Sequence, residues 1–192
     1  MIDLQLRSPV YYSPRLYELV IRLMHSRDRY KKIAQLVGAR KVLELGCGTG
    51  GMAEHFNGNY LGIDLNERFV NYGKRKGRNV QIADIHDFNK FDCEVLLVCD
   101  LLHHLPHHGN FLASLIDSGK EVIVSEPFKQ FPNILDPVFA ALDSDGINDL
   151  GKVKWFGQDM LVQEFKSKKA DEIIEMKNNV VAVFNKKGSS NL

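Results

Sequence analysis

The sequence has little of what marks disulfide-rich, zinc-binding, membrane or secreted proteins. It holds three cysteines, Cys47, Cys93 and Cys99, an odd number without CxxC spacing, which argues against a disulfide framework and a zinc site. No apolar run approaches the length of a transmembrane helix. The first residues lack the basic-then-apolar order of a signal peptide. We therefore expect a cytoplasmic protein with reduced thiols and no membrane contact.

Neither sign of charge dominates, because the net charge is +1. The distribution is uneven, since residues 1–41 carry nine Lys or Arg against three Asp or Glu. These basic N-terminal residues could bind RNA, although a solvated helix surface gives the same charge pattern. A chain of 192 residues, 44% of them hydrophobic, favours one domain with a real core. Its oligomeric state stays open.

Strand-forming runs alternate with short helical segments after residue 40. We predict strands at 41–45, 60–64, 80–84, 94–100 and 121–126. This alternation indicates a Rossmann-like, doubly wound α/β fold with a mostly parallel sheet. Residues 171–177 and 180–186 flank Asn178-Asn179, which predicts a two-residue hairpin because Asn tolerates a positive φ. The sheet would then have seven strands and an antiparallel strand at its C-terminal end.

The segment KVLELGCGTGG (41–51) predicts a ligand cradle. An apolar strand leads into Gly46, Gly48 and Gly50, and glycines let a ligand lie directly on the backbone. Ligands of open parallel sheets bind beyond the carboxyl ends of the strands. Acids stand at several of these ends, including Asp64 and Asp84, and Glu44 precedes the first glycine.

A dinucleotide is the first ligand to consider for this cradle. Gly46, Gly48 and Gly51 satisfy G-x-G-x-x-G, and Asp64 lies near the distance expected for the acid that binds the ribose of NAD. Glu44 stands where a pyrophosphate would have to approach, and Asp84 adds another acid. We therefore keep an NAD(P)-dependent oxidoreductase as an alternative only.

Four segments together are similar to class I S-adenosylmethionine-dependent methyltransferases. They are VLELGCGTG (42–50), GIDLN (62–66), IADIHDF (82–88) and VCDLLHHLP (98–106). The resemblance covers about residues 40–186 and includes the terminal hairpin. It implies methyl transfer from S-adenosylmethionine to a small-molecule acceptor, with S-adenosylhomocysteine as product. An RNA acceptor and a non-catalytic cofactor-binding domain are further alternatives.

The resemblance also implies which residues bind the cofactor. Asp64 would bind the ribose hydroxyls, and Asp84 would accept from the adenine amino group. A helix cap at Asp64, a turn cap at Asp84 and a structural Glu44 remain open alternatives. The full cofactor set is Glu44, Gly46, Cys47, Gly48, Gly50, Asp64, Leu65, Asp84, Ile85 and Cys99.

A hydroxyl or carbon acceptor would need a base, and His104 and His103 after strand four are the best-placed candidates. Asp100 and Glu126 are in reserve, and transfer without any base stays open. Although His107 and His108 follow, no carboxylate or thiolate stands at a ligand spacing, so we expect no metal. DSDGIND (143–149) lacks the spacing of a calcium loop and predicts a turn.

We divide the single domain, 1–192, into four parts. The resemblance suggests that residues 1–40 form a helical lid, with Tyr11, Tyr12 and Tyr17 over the cofactor. Residues 41–126 form the cofactor-binding core. The proline- and aromatic-rich residues 127–155 would line the acceptor site, and residues 156–186 would form the final helix and the hairpin.

Overall fold

The computed structural model describes residues 8–24, 27–130, 133–135, 138, 143 and 155–185. Its strands are β1 (Val42–Leu45), β2 (Tyr60–Asp64), β3 (Val80–Ile82), β4 (Val95–Cys99), β5 (Glu121–Pro127), β6 (Glu172–Glu175) and β7 (Asn179–Phe184). Its helices are α1 (Pro9–Tyr12), α2 (Pro14–Met24), α3 (Arg27–Val37), α4 (Glu67–Arg75), α5 (His108–Asp117) and α6 (Gln158–Ser167). Short 3-10 helices span Gly51–His55, Ile85–Lys90, Leu102–His104 and Asn133–Leu135.

The strands form one sheet in the order β3-β2-β1-β4-β5-β7-β6. Strands β1 to β5 pair in parallel, whereas β7 pairs antiparallel with both β5 and β6. The predicted Rossmann-like fold with an antiparallel C-terminal strand is therefore confirmed. The strand order reverses at β1 and β4, so the cleft beyond their carboxyl ends is the expected ligand site.

Strand β4 lies between β1 and β5 at the centre of the sheet. All of its side chains are buried, and they alternate between two apolar clusters, one on each face of the sheet. Leu96 and Val98 pack on the α5 and α6 face. Val95 and Leu97 pack on the face that carries α3. Period-two alternation thus fills both layers of the core from one strand.

Two element boundaries differ from the sequence prediction. Strand β3 ends at Ile82, so Asp84 lies beyond the strand. In the hairpin Glu175 pairs with Val180, which makes 177–178 the central turn residues rather than 178–179. Among the described residues only Asp100 and Lys169 combine a side chain with a positive φ. The expectation of a positive φ at Asn in this turn is therefore wrong.

Helices α1 and α2 lie against α4 beside the glycine loop. The ring of Tyr17 lies 4.5 Å from that of Phe69, and the ring of Tyr11 lies 5.9 Å from Phe69 on stacked planes. Glu18 accepts a 3.1 Å hydrogen bond from the Tyr72 hydroxyl and pairs with Arg78. The aromatic residues predicted to form a lid thus lie next to the predicted cofactor site.

Most of the insert, residues 127–155, lies outside the described residues, and so do residues 144–149 of the predicted turn. The described members of the insert are 127–130, 133–135, 138, 143 and 155. In the described part of the chain, none of the helices combines the length and the apolar character that crossing a membrane requires.

Candidate active site

The loop after β1 turns on three glycines with left-handed backbone. Gly46, Gly48 and Gly50 have φ angles of 69°, 56° and 72°, which L side chains rarely adopt. A Cβ atom on Gly48 would lie 2.7 Å from the Tyr17 hydroxyl oxygen. On Gly50 it would lie 2.5 Å from Cγ1 of Val80. Gly48 therefore presents bare backbone to Tyr17, whereas Gly50 packs against β3.

The carboxylate of Asp64 ties the end of β2 to the glycine loop. Its Oδ2 accepts a 2.7 Å hydrogen bond from the Gly48 amide, and its Oδ1 accepts one of 2.7 Å from the Asn66 amide. The N-cap of α4 is Asn66, whose side chain accepts from the amides of Arg68 and Phe69. Asp64 is therefore not the cap of this helix.

Asp84 lies past β3 and caps the 3-10 helix Ile85–Lys90. Its Oδ1 accepts a 2.9 Å hydrogen bond from the His86 amide. Asp84 therefore does cap a turn, as the alternative interpretation of the sequence stated. The same side chain lines a cavity together with Leu65 and Ile85. Because a carboxylate can accept about four hydrogen bonds, capping does not preclude contact with a ligand.

Two cavities flank the glycine loop, one of about 470 Å³ and one of about 230 Å³. Glu44, Cys47 and Cys99 line the larger cavity. Tyr17, Gly46 and Asp100 line both cavities, so the two spaces meet at the loop beneath the Tyr17 ring. The smaller cavity is lined by Tyr11, Tyr17, Gly46, Gly48, Asp64, Leu65, Phe69, Asp84, Ile85, His86, Asp100, Leu101, His104 and Leu105.

Glu44 is a buried acid on the wall of the larger cavity. It is 4% exposed and accepts a hydrogen bond from the Tyr60 hydroxyl. Burial raises the pKa of Glu44 to about 8; Tyr60 and Arg29 oppose this rise, and Asp100 and Asp64 add to it. A cation beside Glu44 would favour its ionised form. Glu44 would therefore gain its charge when a positively charged ligand binds beside it.

Arg29 and Asp100 form a bidentate ion pair on the same wall. Nη1 lies 2.8 Å from Oδ1, and Nη2 lies 2.6 Å from Oδ2. Arg29 is 1% exposed, and Asp100 has a φ of 52°. The pair joins α3 to the end of β4 and holds a left-handed residue there. Because Asp100 lines both cavities, the pair also shapes their junction.

Glu126 fixes the loop that follows β4. This carboxylate is fully buried at the end of β5. Its Oε1 accepts hydrogen bonds from the amides of Leu101 (2.8 Å) and Leu102 (2.7 Å), and its Oε2 accepts one of 2.8 Å from Nδ1 of His103. Three donors on one carboxylate hold the His103 ring and its backbone in a single orientation.

His103 lies between two carboxylates. Its Nε2 is 3.1 Å from Oδ2 of Asp143, and its ring stacks on Trp155 at 5.2 Å. Burial lowers the pKa of His103, but Glu126 and Asp143 outweigh burial and raise it to about 10. The ring keeps its proton at neutral pH in this environment, which does not suit a general base.

His104 faces the ligand space instead. It lines the smaller cavity, and its Nε2 lies 3.4 Å from the Tyr11 hydroxyl and 3.9 Å from Oδ1 of Asp143. The Tyr11 hydroxyl donates to the same oxygen at 3.3 Å. We call His103, His104 and Asp143 the histidine cluster. It joins the loop after β4 to the insert and to α1.

Comparison with known proteins indicates the family to which this part of the chain is related. Residues 43–118 match a family model described as a methyltransferase domain. Residues 43–118 therefore belong to a methyltransferase domain. No curated protein sequence matches the chain.

Solved structures that resemble this methyltransferase domain share its fold at low sequence identity. One is a methyltransferase from Thermotoga maritima described as a possible histamine N-methyltransferase, with 14% identity, 92% of this chain and 97% of that chain covered, and a TM-score of 0.66. Another is an O-methyltransferase family protein from Burkholderia thailandensis, with 11% identity, 90% and 59% covered, and a TM-score of 0.63.

A third is human N-acetylserotonin methyltransferase in complex with S-adenosylmethionine. It has 12% identity, 92% of this chain and 58% of that chain covered, and a TM-score of 0.62. The present chain thus spans less than two thirds of the length of the Burkholderia and human proteins and nearly all of the Thermotoga one.

Within the methyltransferase domain, most of the predicted site residues line the two cavities. The exceptions are Gly50, which packs against β3, and His103, which lies behind His104. The cofactor set divides between the cavities. Glu44, Cys47 and Cys99 line the larger one, Gly48, Asp64, Leu65, Asp84 and Ile85 line the smaller one, and Gly46 lines both.

Sequence reasoning missed Arg29 and Asp143. Arg29 had a signal, because it stands four residues before Ile33 and eight before Val37 and so occupies the apolar stripe of its helix. An arginine in such a stripe needs a buried partner, which is Asp100. Asp143 had no such signal, because only the tertiary fold brings it to His103.

Proposed function

We propose that the chain transfers a methyl group from S-adenosylmethionine to a small-molecule acceptor. The observation that carries the proposal is the meeting of two carboxylate-lined cavities on the bare backbone of the glycine loop. The match to a methyltransferase family model supports it. When bound, S-adenosylmethionine supplies a methyl group on a positively charged sulfonium.

The larger cavity would hold the aminoacyl end of the cofactor. Glu44 and Asp100 place carboxylates on its wall, and Cys99 ends β4 there. An ammonium ion beside Glu44 would favour its ionised form and pair with it, whereas Asp100 is already paired with Arg29. Gly46 and Cys47 contribute backbone that a ligand can approach closely.

The smaller cavity would hold the adenosine part. Asp64, at the carboxyl end of β2, is placed to accept from the ribose hydroxyls. Asp84 and the amide of Ile85 would meet the polar edge of adenine. Leu65 is 49% exposed, and an adenine packed on it would remove that apolar surface from water.

We propose that residues 1–40 act as a lid over the cofactor. Tyr17 lies over Gly48 and borders both cavities. A ligand that fills both spaces must displace the Tyr17 ring or pack against it. Movement of α2 would provide that freedom, and it would have to break the Tyr17–Phe69 contact and the contacts of Glu18 with Tyr72 and Arg78.

The acceptor would bind beside His104 at the far end of the smaller cavity. Tyr11, Phe69 and Leu105 form aromatic and apolar walls there, which suit a small molecule. Asp143 and Trp155, both from the 127–155 insert, contact His103 behind this wall. The Thermotoga neighbour is described as a possible histamine N-methyltransferase, and the human neighbour is N-acetylserotonin methyltransferase.

Proton removal from a hydroxyl acceptor would take place at the histidine cluster. His104 is its member on the cavity wall and would contact the acceptor. His103 would support it from behind, because Glu126 and Asp143 hold its ring on both sides. An amine acceptor would need only the positioning that these walls provide.

RNA is the second candidate acceptor. Helices α2 and α4 contact each other and carry the exposed basic residues Arg15, Arg22, Arg68, Lys74 and Arg75. Such a surface can neutralise phosphates. Salt-dependent binding of a short single-stranded RNA, lost when Lys74 and Arg75 become Gln, would favour this acceptor.

A cytoplasmic location is part of the same proposal. Cys47, Cys93 and Cys99 are all buried free thiols, as expected in a reducing compartment. Alkylation under denaturing conditions, before and after reduction, would count the free thiols of protein taken from cells.

Calorimetry with S-adenosylhomocysteine and, in parallel, NADH tests the donor. We expect one site for S-adenosylhomocysteine and no binding of NADH. Absence of S-adenosylhomocysteine binding would refute the proposal. Binding without methyl transfer to any of a set of phenols, amines and thiols would favour a non-catalytic cofactor-binding domain. A structure with S-adenosylhomocysteine would then define the acceptor space.

A further inference from the structure

We propose that the histidine cluster is a binding site for a divalent transition-metal ion. Its three ligands would be Nε2 of His103, Nε2 of His104 and a carboxylate oxygen of Asp143, atoms that lie within 4.8 Å of one another. The role of this ion in activating an acceptor rests on the proposed methyltransferase function. The site itself rests on geometry alone.

The distances agree with one ion shared by these atoms. Oδ2 of Asp143 lies 3.1 Å from Nε2 of His103, and Oδ1 of the same carboxylate lies 3.9 Å from Nε2 of His104. A four-coordinate ion with bonds of about 2.0–2.2 Å separates neighbouring ligand atoms by about 3.3–3.6 Å. The three ligand atoms lie within 4.8 Å of one another, so side-chain shifts of up to about 1 Å would bring all three into coordination.

Glu126 supplies the outer support that metal-bound histidines use. It holds the Nδ1 proton of His103 at 2.8 Å and thereby turns Nε2 towards Asp143. Carboxylate–histidine–metal arrangements of this kind fix the tautomer and the ring orientation. The same carboxylate holds two loop amides, so the two imidazoles are ordered before any ion arrives.

The donor set indicates the class of ion. Two imidazoles with one carboxylate suit Zn²⁺, Fe²⁺ or Co²⁺ better than Mg²⁺ or Ca²⁺, which prefer oxygen ligands. Three protein ligands leave a coordination position open, as in catalytic sites. His104 and Tyr11 line the smaller cavity, so the open position would face the space where an acceptor binds.

The sequence predicted no metal, because no carboxylate or thiolate stands at a ligand spacing from these histidines. The fold supplies that carboxylate from the insert, as Asp143. The competing interpretation is a protonated His103 held between Glu126 and Asp143 without any ion. The two differ in whether Asp143 and His104 bind a metal together.

Titration of the full, tag-free, metal-depleted chain with Co²⁺ decides between them. We expect one Co²⁺ per chain and visible d–d absorption bands of imidazole and carboxylate ligation. Asp143→Asn and His104→Ala should each weaken Co²⁺ binding by at least about a hundredfold, since loss of an outer partner alone costs about 10–100-fold. Glu126→Gln should weaken it by about 10–100-fold at the same stoichiometry.

His107→Ala is the matched control, because His107 is an exposed histidine of the same loop and should leave the Co²⁺ spectrum unchanged. Circular dichroism checks the fold of every variant. Absence of stoichiometric Co²⁺ binding, or binding retained in both Asp143→Asn and His104→Ala, would overturn the inference. S-adenosylhomocysteine binding without Co²⁺ binding refutes the metal site alone, whereas the converse refutes the proposed function and leaves the metal site.

Discussion

The proposed cofactor side and the proposed acceptor side of the cleft are assembled from different parts of the chain. On the cofactor side, one run of residues from β1 to Gly50 provides the floor, and the next two strands add Asp64 and Asp84 at their ends. On the acceptor side, the histidine cluster joins the loop after β4 to Asp143 of the insert. Tyr11 of α1 also contacts this cluster.

This difference teaches which kind of site a sequence can reveal. A binding surface made of backbone needs glycines at fixed positions, and this glycine motif can be recognised in the sequence without knowing the fold. A cluster made of side chains needs only that the fold brings them together. Variants on the two sides should therefore have separable effects, and the ion pair of Arg29 with Asp100, at the junction of the cavities, should affect both.

Arg29→Met should have the largest effect. It leaves Asp100 without its guanidinium partner at a mostly buried position, so the free energy of unfolding should fall by about 3–5 kcal/mol. The matched control is Lys41→Met, because Lys41 and Asp92 pair at the same 2.6 Å distance but are 59% and 85% exposed. The control should lose far less, because water screens an exposed ion pair.

Urea unfolding followed by circular dichroism measures both Arg29→Met and Lys41→Met. Equal losses in the two variants would contradict the assignment of Arg29 as a buried anchor. If Arg29→Met does not fold at all, Arg29→Lys, which keeps a charge but not the bidentate geometry, should give a smaller and measurable loss.

Asp64→Ala should come next and should affect the cofactor side alone. S-adenosylhomocysteine affinity should fall by about 1–3 kcal/mol, because a charge-assisted pair of hydrogen bonds to the ribose is lost. Asp92→Ala removes an exposed carboxylate at the opposite end of the sheet and should leave affinity unchanged. Calorimetry measures both, and unchanged affinity in Asp64→Ala would refute the ribose role.

Glu44 makes stability depend on pH from within the cofactor side. Its pKa is about 8 in the folded protein and 4.5 in an ordinary Glu, so its stabilising contribution is full below pH 4.5 and is lost as the pH rises through 8. The neutral Tyr60 hydroxyl faces it, and so do the charged groups of Arg29, Asp100 and Asp64. Against Glu44→Gln, the wild type should lose more than about 1 kcal/mol across this window, the equivalent of one pKa unit.

Urea unfolding of the wild type and Glu44→Gln at several pH values measures this difference. The comparison with the Gln variant removes the contribution of His103, whose raised pKa has the same sign. A difference that stays flat from pH 4.5 to 8 would show that Glu44 is ionised in the folded protein.

Gly48→Ala tests whether the cofactor lies directly on the backbone of the glycine loop. Gly77 also has a left-handed φ, of 76°, but a Cβ there meets nothing within 4 Å, whereas at Gly48 it meets Tyr17 at 2.7 Å. Both Ala variants should lose about 1–2 kcal/mol of stability from backbone strain. Only Gly48→Ala should also weaken S-adenosylhomocysteine binding, by about tenfold or about 1.4 kcal/mol. Equal affinities would contradict the role of Gly48 as ligand floor.

The extent to which the sequence predicts the molecule follows the same division. The strand pattern, Gly48 and Asp64 were predictable because strand periodicity and glycine spacing are local properties of the chain. The geometry of His103 was not, because its environment comes from Glu126 on β5 and Asp143 in the insert. Even the hairpin turn shifted by one residue, since strand pairing rather than Asn placement set its register.

Asp143→Asn should have the smallest effect on cofactor affinity. That result is the sharpest test of whether the two sides of the cleft act independently. It removes the carboxylate of the histidine cluster but no side chain of the glycine floor, so S-adenosylhomocysteine affinity should stay within about twofold, or about 0.4 kcal/mol. The same variant should weaken Co²⁺ binding by at least about a hundredfold. A loss of S-adenosylhomocysteine affinity comparable to that of Asp64→Ala would instead show that the two sides are coupled. The route would be the 3.3 Å hydrogen bond from Tyr11 to Asp143, through which the insert would hold α1 and the Tyr17 ring over the cofactor.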